Sequence, residues 1–207
     1  MKIIVLADVY VKQEFKKKQI NANIQVTYIE NLLEIPDSYA DTFFLLKEEI
    51  NWKDHKIFEG KPVFINSTIC TLKELDLPEN FNRVNGWLTF INREIWEIAT
   101  CKEDIVKDIF EKLEWKYIKV VDEPGLVSAR IISMIVNEAF FALGEGVSTK
   151  SEIDVAMKLG TNYPYGPFEW GNKIGLQNIV TLLKKLSKKQ LRYAPCDLLV
   201  QETDKAI

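Results

Sequence analysis

The groups best suited to proton transfer, thiol chemistry or metal binding are few and scattered in this chain. Its one histidine, His55, stands in the polar segment N-W-K-D-H-K and reads as an exposed loop or helix residue, not as a base aimed at a substrate. Cys70, Cys101 and Cys196 lie far apart without a C-x-x-C pair. With a single histidine to join them they make no zinc site, and they indicate a reduced, cytoplasmic protein. A phosphate cradle needs glycines directly after a first strand, so that backbone N–H groups at a helix N-terminus can reach the anion. Here that turn reads Ala7-Asp8-Val9-Tyr10-Val11, and no glycine precedes Gly60. Side chains fill the space, and a diphosphate would be desolvated against the Asp8 carboxylate, which is unfavourable.

The elements that must position any site follow from periodicity. Short β-branched runs alternate with helical stretches over the first 121 residues, the pattern of βαβ units and a parallel sheet. The expected strands are Lys2–Ala7, Ile24–Ile29, Thr42–Leu46, Pro62–Asn66, Val84–Phe90 and Tyr117–Val121. Between the last two, Ile105, Ile109 and Leu113 recur at a spacing of four, with Val106 and Phe110 beside them, and predict an amphipathic helix over Lys102–Leu113. After Pro124 and Gly125 only helices are expected. Leu126–Leu143 is apolar around most of its circumference and is expected to be buried between helices or subunits. Gly144 and Gly146 end it; Thr149 and Glu152 form a capping box opening a helix over Ser151–Leu159, which Gly160 closes. The fold class is thus α/β then all-α, a parallel sheet over 1–121 followed by a helical domain over 122–207.

At 47% hydrophobic and 28% charged residues, the chain has the makings of a real core and is not disordered. A net charge of -3 gives no electrostatic footprint for nucleic acid. Lys16 to Lys18, Lys184-Lys185 and Lys188-Lys189 read as solvated helix faces. No apolar run reaches the ~18 residues of a membrane span, and Met1–Val11 is too short for a secretory signal.

One long stretch adds more. D-E-P-G-L-V-S-A-R is followed in order by N-E-A, G-E-G, the I-D-V-A-M helix, Y-P-Y-G-P-F-E and I-G-L, between Asp122 and Leu176. This series resembles the start of the helical C-terminal domain of 3-hydroxyacyl-CoA dehydrogenases, a 6-phosphogluconate-dehydrogenase-like fold. The resemblance extends backwards through F-I-N-S-T and T-C-K-E-D and so covers most of the chain. It implies a nicotinamide-binding first domain, here a shortened Rossmann-like sheet over 1–121, NAD as cofactor, an L-3-hydroxyacyl-CoA substrate and a homodimer formed through the helical domain, 122–207.

Carried over residue by residue, it implies that Thr68 stands where the family's substrate-binding serine does, with Asn66 beside it. Glu97 resembles the glutamate that orients a catalytic histidine. The family's H-F-F-N-P falls on Leu88–Asn92 or on Thr89–Arg93, and neither register has a histidine; Asn92 keeps the asparagine. Ser128 is the polar group nearest to Ala129, which replaces the family's asparagine, and Arg130 is retained, as a structural ion-pair partner more than a substrate contact. Glu30 and Glu49 resemble cofactor-facing acids. The expectation is a dehydrogenase-like protein without NAD-dependent activity, kept as an acyl-CoA or protein binding dimer. The alternatives are a repurposed dehydrogenase using Glu97 as base with Thr68, and a purely structural dimer.

Overall fold

The computed structural model describes residues 1–35, 40–47 and 58–205. Glu49 and His55 lie outside the described residues. The chain divides into two compact units, Met1–Leu126 and Val127–Ile207.

The first unit is a seven-stranded sheet in the order β2-β1-β3-β4-β5-β6-β7. Its strands are β1 (Lys2–Leu6), β2 (Gln25–Ile29), β3 (Thr42–Leu45), β4 (Val63–Asn66), β5 (Phe81–Val84), β6 (Ile95–Thr100) and β7 (Lys116–Lys119). Helix α1 (Val9–Phe15) follows β1, α2 (Leu72–Leu75) follows β4, and α3 (Glu103–Leu113) joins β6 to β7. Strands β1 to β5 pair in parallel, as expected, but β6 pairs antiparallel to β5 and parallel to β7.

The expectation of a strand over Val84–Phe90 is corrected. The strand ends at Val84, and the chain then turns: Asn85 Oδ1 accepts the Trp87 N–H at 3.2 Å, and Thr89 takes a left-handed φ of 78°. The apolar residues of this segment are turn residues whose side chains are tucked inward. The strand missing from that reading is β6. Its alternation was present in I-W-E-I-A-T, where Trp96 and Ile98 are buried and Glu97 between them is half-buried.

The sheet is apolar on both faces, as a mostly parallel sheet must be. On one face Val11 and Phe15 of α1 and Val106, Ile109, Phe110 and Leu113 of α3 cover Ile3, Val5 and Phe44. The rings of Phe15, Phe44 and Trp96 meet edge to face at 5.6 to 6.4 Å. On the other, Phe58 and Leu72 pack with Ile4, Leu6, Phe43 and Ile65. Each fully buried side chain of this size contributes about 1.5–3 kcal/mol.

The second unit holds α4 (Ser128–Gly144), α5 (Lys150–Thr161), α6 (Pro167–Ile174), α7 (Leu176–Ser187) and α8 (Asp197–Lys205). The Thr149 and Glu152 capping box forms as the T-x-x-E spacing predicts. Gly160 does not close α5; it lies inside the helix, which stops at Asn162 in the left-handed region. Nor is α4 buried all round. Ala129, Ile132, Val136 and Phe140 are buried, whereas Ile131 and Phe141 are 50% and 41% exposed. Among the described residues no helix is long and apolar enough to cross a membrane.

Candidate functional site

Parallel pairing sets the C-terminal ends of β1 to β5 along one edge of the sheet, where an open α/β sheet binds ligands. The loops leaving that edge carry most of the residues singled out above.

The first loop is the β1–α1 turn. Asp8 is the N-cap of α1: its carboxylate accepts from the N–H of Tyr10 at 2.8 Å and of Val11 at 2.9 Å. The backbone donors that would hold a pyrophosphate are therefore taken by an anion the chain itself supplies. Val9 and Tyr10 project exposed side chains from the same turn. Glu30, after β2, is exposed, and Lys47 donates to its carbonyl at 3.1 Å.

At the end of β4 the structure does bring Asn66 and Thr68 together, both buried. Thr68 Oγ1 donates to Asn66 Oδ1 at 3.3 Å, the Gly86 N–H donates to the same oxygen at 3.1 Å, and Asn66 Nδ2 donates to the Leu46 carbonyl at 3.3 Å. Gly86 is required for this meeting, because a Cβ there would stand 2.5 Å from Asn66 Cβ and Cγ. Gly86→Ala is expected to push Asn66 out of place and cost about 2 kcal/mol. A lower urea midpoint at unchanged slope would show it.

After β5, neither residue at the position of the family's histidine carries a base. Leu88 packs half-buried against the core. Thr89 donates its N–H to both oxygens of Glu14 on α1, each at 2.8 Å. Asn85 Nδ2, Trp87 Nε1 and Thr89 Oγ1 are buried here without a protein hydrogen-bond partner.

Glu97 on β6 has a cation for a neighbour where the resemblance implies a histidine. The Arg93 guanidinium is held below its ordinary value by burial, and the Glu97 carboxylate opposes that shift. Arg93 also lies 4.0 Å from the centre of the Phe90 ring. Asn92 is exposed and lines a cleft with Arg93 and Lys18. In the second unit Ser128 opens α4, and the Arg130 guanidinium lies 5.9 Å from the centre of the Tyr193 ring.

Sequence reasoning missed Arg83, which is fully buried. It pairs with Asp122 through Nη1 and donates from Nε to the Ser67 carbonyl at 2.7 Å and from Nη2 to the Thr68 carbonyl at 3.2 Å. The other Asp122 oxygen accepts from the Leu72 N–H at the start of α2, at 2.9 Å. The aspartate of D-E-P-G thus ties the chain leaving β7 to the loop that holds Thr68. A charged residue within a strand of a sheet buried on both faces was the available signal, since buried charges come paired.

The motifs of the second unit have structural partners too. Asn137 of N-E-A donates to the Ala194 carbonyl at 3.0 Å and accepts from the Cys196 N–H at 2.7 Å. Asp154 of I-D-V-A-M accepts from the Phe168 N–H at 2.8 Å, capping α6 from α5. Glu169 accepts from Lys158 Nζ and the Gly166 N–H, and these two bonds hold its carboxyl below the usual range.

Residues 125–206 match the family of the 3-hydroxyacyl-CoA dehydrogenase C-terminal domain. Residues 125–206 are thus similar to the C-terminal domain of 3-hydroxyacyl-CoA dehydrogenases. Over 86 residues it is 46% identical to the 3-hydroxyadipyl-CoA dehydrogenase of Escherichia coli, a match taking in 41% of this chain and 18% of that protein. It is 36% identical over 106 residues to a probable 3-hydroxybutyryl-CoA dehydrogenase of Bacillus subtilis, covering 49% of this chain and 37% of the relative. The chain therefore spans well under half the length of these curated relatives. The solved (S)-3-hydroxybutyryl-CoA dehydrogenase of Ralstonia eutropha superposes on 99% of this chain and 93% of its own, with a TM-score of 0.67 at 19% identity. At that identity the likeness shows that the 3-hydroxyacyl-CoA dehydrogenase fold is shared, Rossmann-like sheet included.

Proposed function

We propose that this chain is a member of the 3-hydroxyacyl-CoA dehydrogenase family that no longer performs nicotinamide-dependent hydride transfer and serves as an acyl-CoA or protein binding dimer in the cytoplasm. The observation that carries the reading is the Asp8 carboxylate seated on the N-terminus of α1. A dinucleotide would have to displace it and then be held against it. The missing base weighs the same way, since a positioned general base contributes about 10²- to 10⁴-fold. Leu88 and Thr89 supply none, and Glu97 faces a guanidinium. Three free cysteines, Cys70, Cys101 and Cys196, suit a reducing compartment. Dimerisation is supported by the exposed apolar side chains Ile131, Phe141, Val155 and Leu159 on α4 and α5.

The test is to titrate the whole protein with NADH, followed by its fluorescence, and with acetoacetyl-CoA, followed by calorimetry, with sedimentation for the oligomeric state. The expected result is a dimer that takes up the acyl-CoA, or a partner protein in its place, and shows no saturable NADH binding. NADH oxidation with acetoacetyl-CoA that Glu97→Gln abolishes would replace this reading with a dehydrogenase that uses a carboxylate as base.

A further inference from the structure

The lysines after α1 read in the sequence as a solvated face. Lys16 and Lys17 are exposed, but Lys18 departs from that reading and is half-buried. Its Nζ donates to the Arg93 carbonyl at 2.8 Å and lies 4.5 Å from the ring centre of Trp115 and 5.3 Å from that of Trp96. Trp115 is itself fixed, its Nε1 donating to the Gln19 carbonyl at 2.8 Å. A cleft of about 550 Å³, lined by Asn21, Asn92, Arg93, Glu114 and Trp115, includes Lys18 in its wall.

The other charged groups of the cleft are accounted for. Glu94 and Lys116 pair with each other, Glu114 accepts from Asn21 Nδ2 at 3.2 Å, and Arg93 faces Glu97. What holds the Lys18 amine is a neutral carbonyl and two indole faces; the rings favour the ammonium, but no carboxylate pairs with it and the net effect of its burial is to lower its basicity.

We propose that Lys18 is an acyl-accepting amine and that the cleft admits a small acyl thioester to it. The neutral nitrogen attacks the thioester carbonyl carbon and the C–S bond breaks. The thiolate leaves with the proton that the nitrogen sheds, so that an Nε-acyl amide and a free thiol remain. The Asn92 amide and the Arg93 guanidinium line the same cleft and are donors suited to a carbonyl oxygen that gathers charge. The acylated nitrogen keeps one N–H for the Arg93 carbonyl.

Burial lowers the Lys18 ammonium to about 8. At pH 7 about one such amine in ten is neutral, against about one in 2,500 for an ordinary lysine. Lower basicity also lowers nucleophilicity. With a dependence like that of thiols, the net advantage is on the order of 20-fold.

The inference goes beyond the proposed function and does not need it. Its test incubates the whole protein with the acetyl thioester of N-acetylcysteamine from pH 7 to 9 and follows each lysine by peptide mass spectrometry. At pH 7 Lys18 is expected to acetylate roughly 10- to 20-fold faster than Lys17, an advantage that shrinks to about 2-fold by pH 9, because its rate flattens above pH 8 while that of Lys17 keeps rising. Lys18→Arg retains a cation between the indoles and is expected to remove the fast site without changing the rate at Lys17. Equal rates at the two lysines at pH 7, or a fast phase that survives Lys18→Arg, would overturn the proposal. The probe lacks the CoA nucleotide, so either outcome is independent of whether the protein binds acyl-CoA.

Discussion

Asp122→Ala is expected to cost the first unit about 3 kcal/mol, enough to remove a large part of an ordinary domain's stability. The substitution leaves the fully buried Arg83 guanidinium without its counter-charge. It also removes the acceptor of the Leu72 N–H at the start of α2. The estimate sits at the low end of the 3–5 kcal/mol typical of a broken buried pair. The Asp122 side chain is 30% exposed, and the carbonyls of Ser67 and Thr68 still accept from Arg83. Urea unfolding followed through tryptophan fluorescence reads the change. Arg83→Met combined with Asp122→Leu is expected to be milder than Asp122→Ala alone, because no buried charge remains. A single substitution costing under about 0.5 kcal/mol would show that the pair behaves as a surface contact.

Gly166→Ala is expected to be nearly as damaging in the second unit, at about 3 kcal/mol. A Cβ at Gly166 would stand 2.3 Å from Asp154 Oδ1 and 2.4 Å from Asp154 Cβ. The Cβ is fixed by the α5 backbone, so α5 and α6 must part. Overpacking of this kind costs about 1–3 kcal/mol. Loss of the bond from the Phe168 N–H to the carboxylate adds about 1 kcal/mol or more. Hydrogen exchange at the Phe168 amide and the melting temperature of the whole chain both report it. Gly160→Ala is the control. It lies within α5, its Cβ would meet nothing within 4 Å, and replacing a helical glycine there is expected to stabilise by up to about 1 kcal/mol. Equal effects at the two glycines would show that the close approach of Asp154 does not matter.

Together these residues explain why the stretch from Asp122 to Leu176 is informative. Asp122, Asn137, Asp154 and Gly166 each make a contact that builds the fold. A family likeness carried by such residues speaks for the architecture, and leaves the chemistry to the loops along the sheet edge. There Asp8 caps α1, neither Leu88 nor Thr89 carries a base, and Asn66 and Thr68 lie buried and hydrogen-bonded to each other.

The sequence by itself determined the features that depend on near neighbours in the chain. The spacing of Ile105, Ile109 and Leu113 is a helix because residues four apart share a face, and α3 is found over Glu103–Leu113. Thr149 and Glu152 cap α5 because their atoms meet within one turn. The lack of a glycine before Gly60 rules out a glycine cradle after β1 whatever the rest of the chain does. Tertiary structure alone decided what depends on distant partners. Trp87 to Phe90 are largely apolar, like a strand, and the bonds from the Thr89 N–H to Glu14, 75 residues away, help to hold them as a turn. Arg83 finds Asp122 across 39 residues. Lys18 lies in a lysine run that reads as solvated, and it is desolvated because Trp96, Trp115 and the Arg93 carbonyl close around it from other elements. Local pattern fixes which face of an element is apolar. Which polar group is buried, and against what, is settled only when the elements pack.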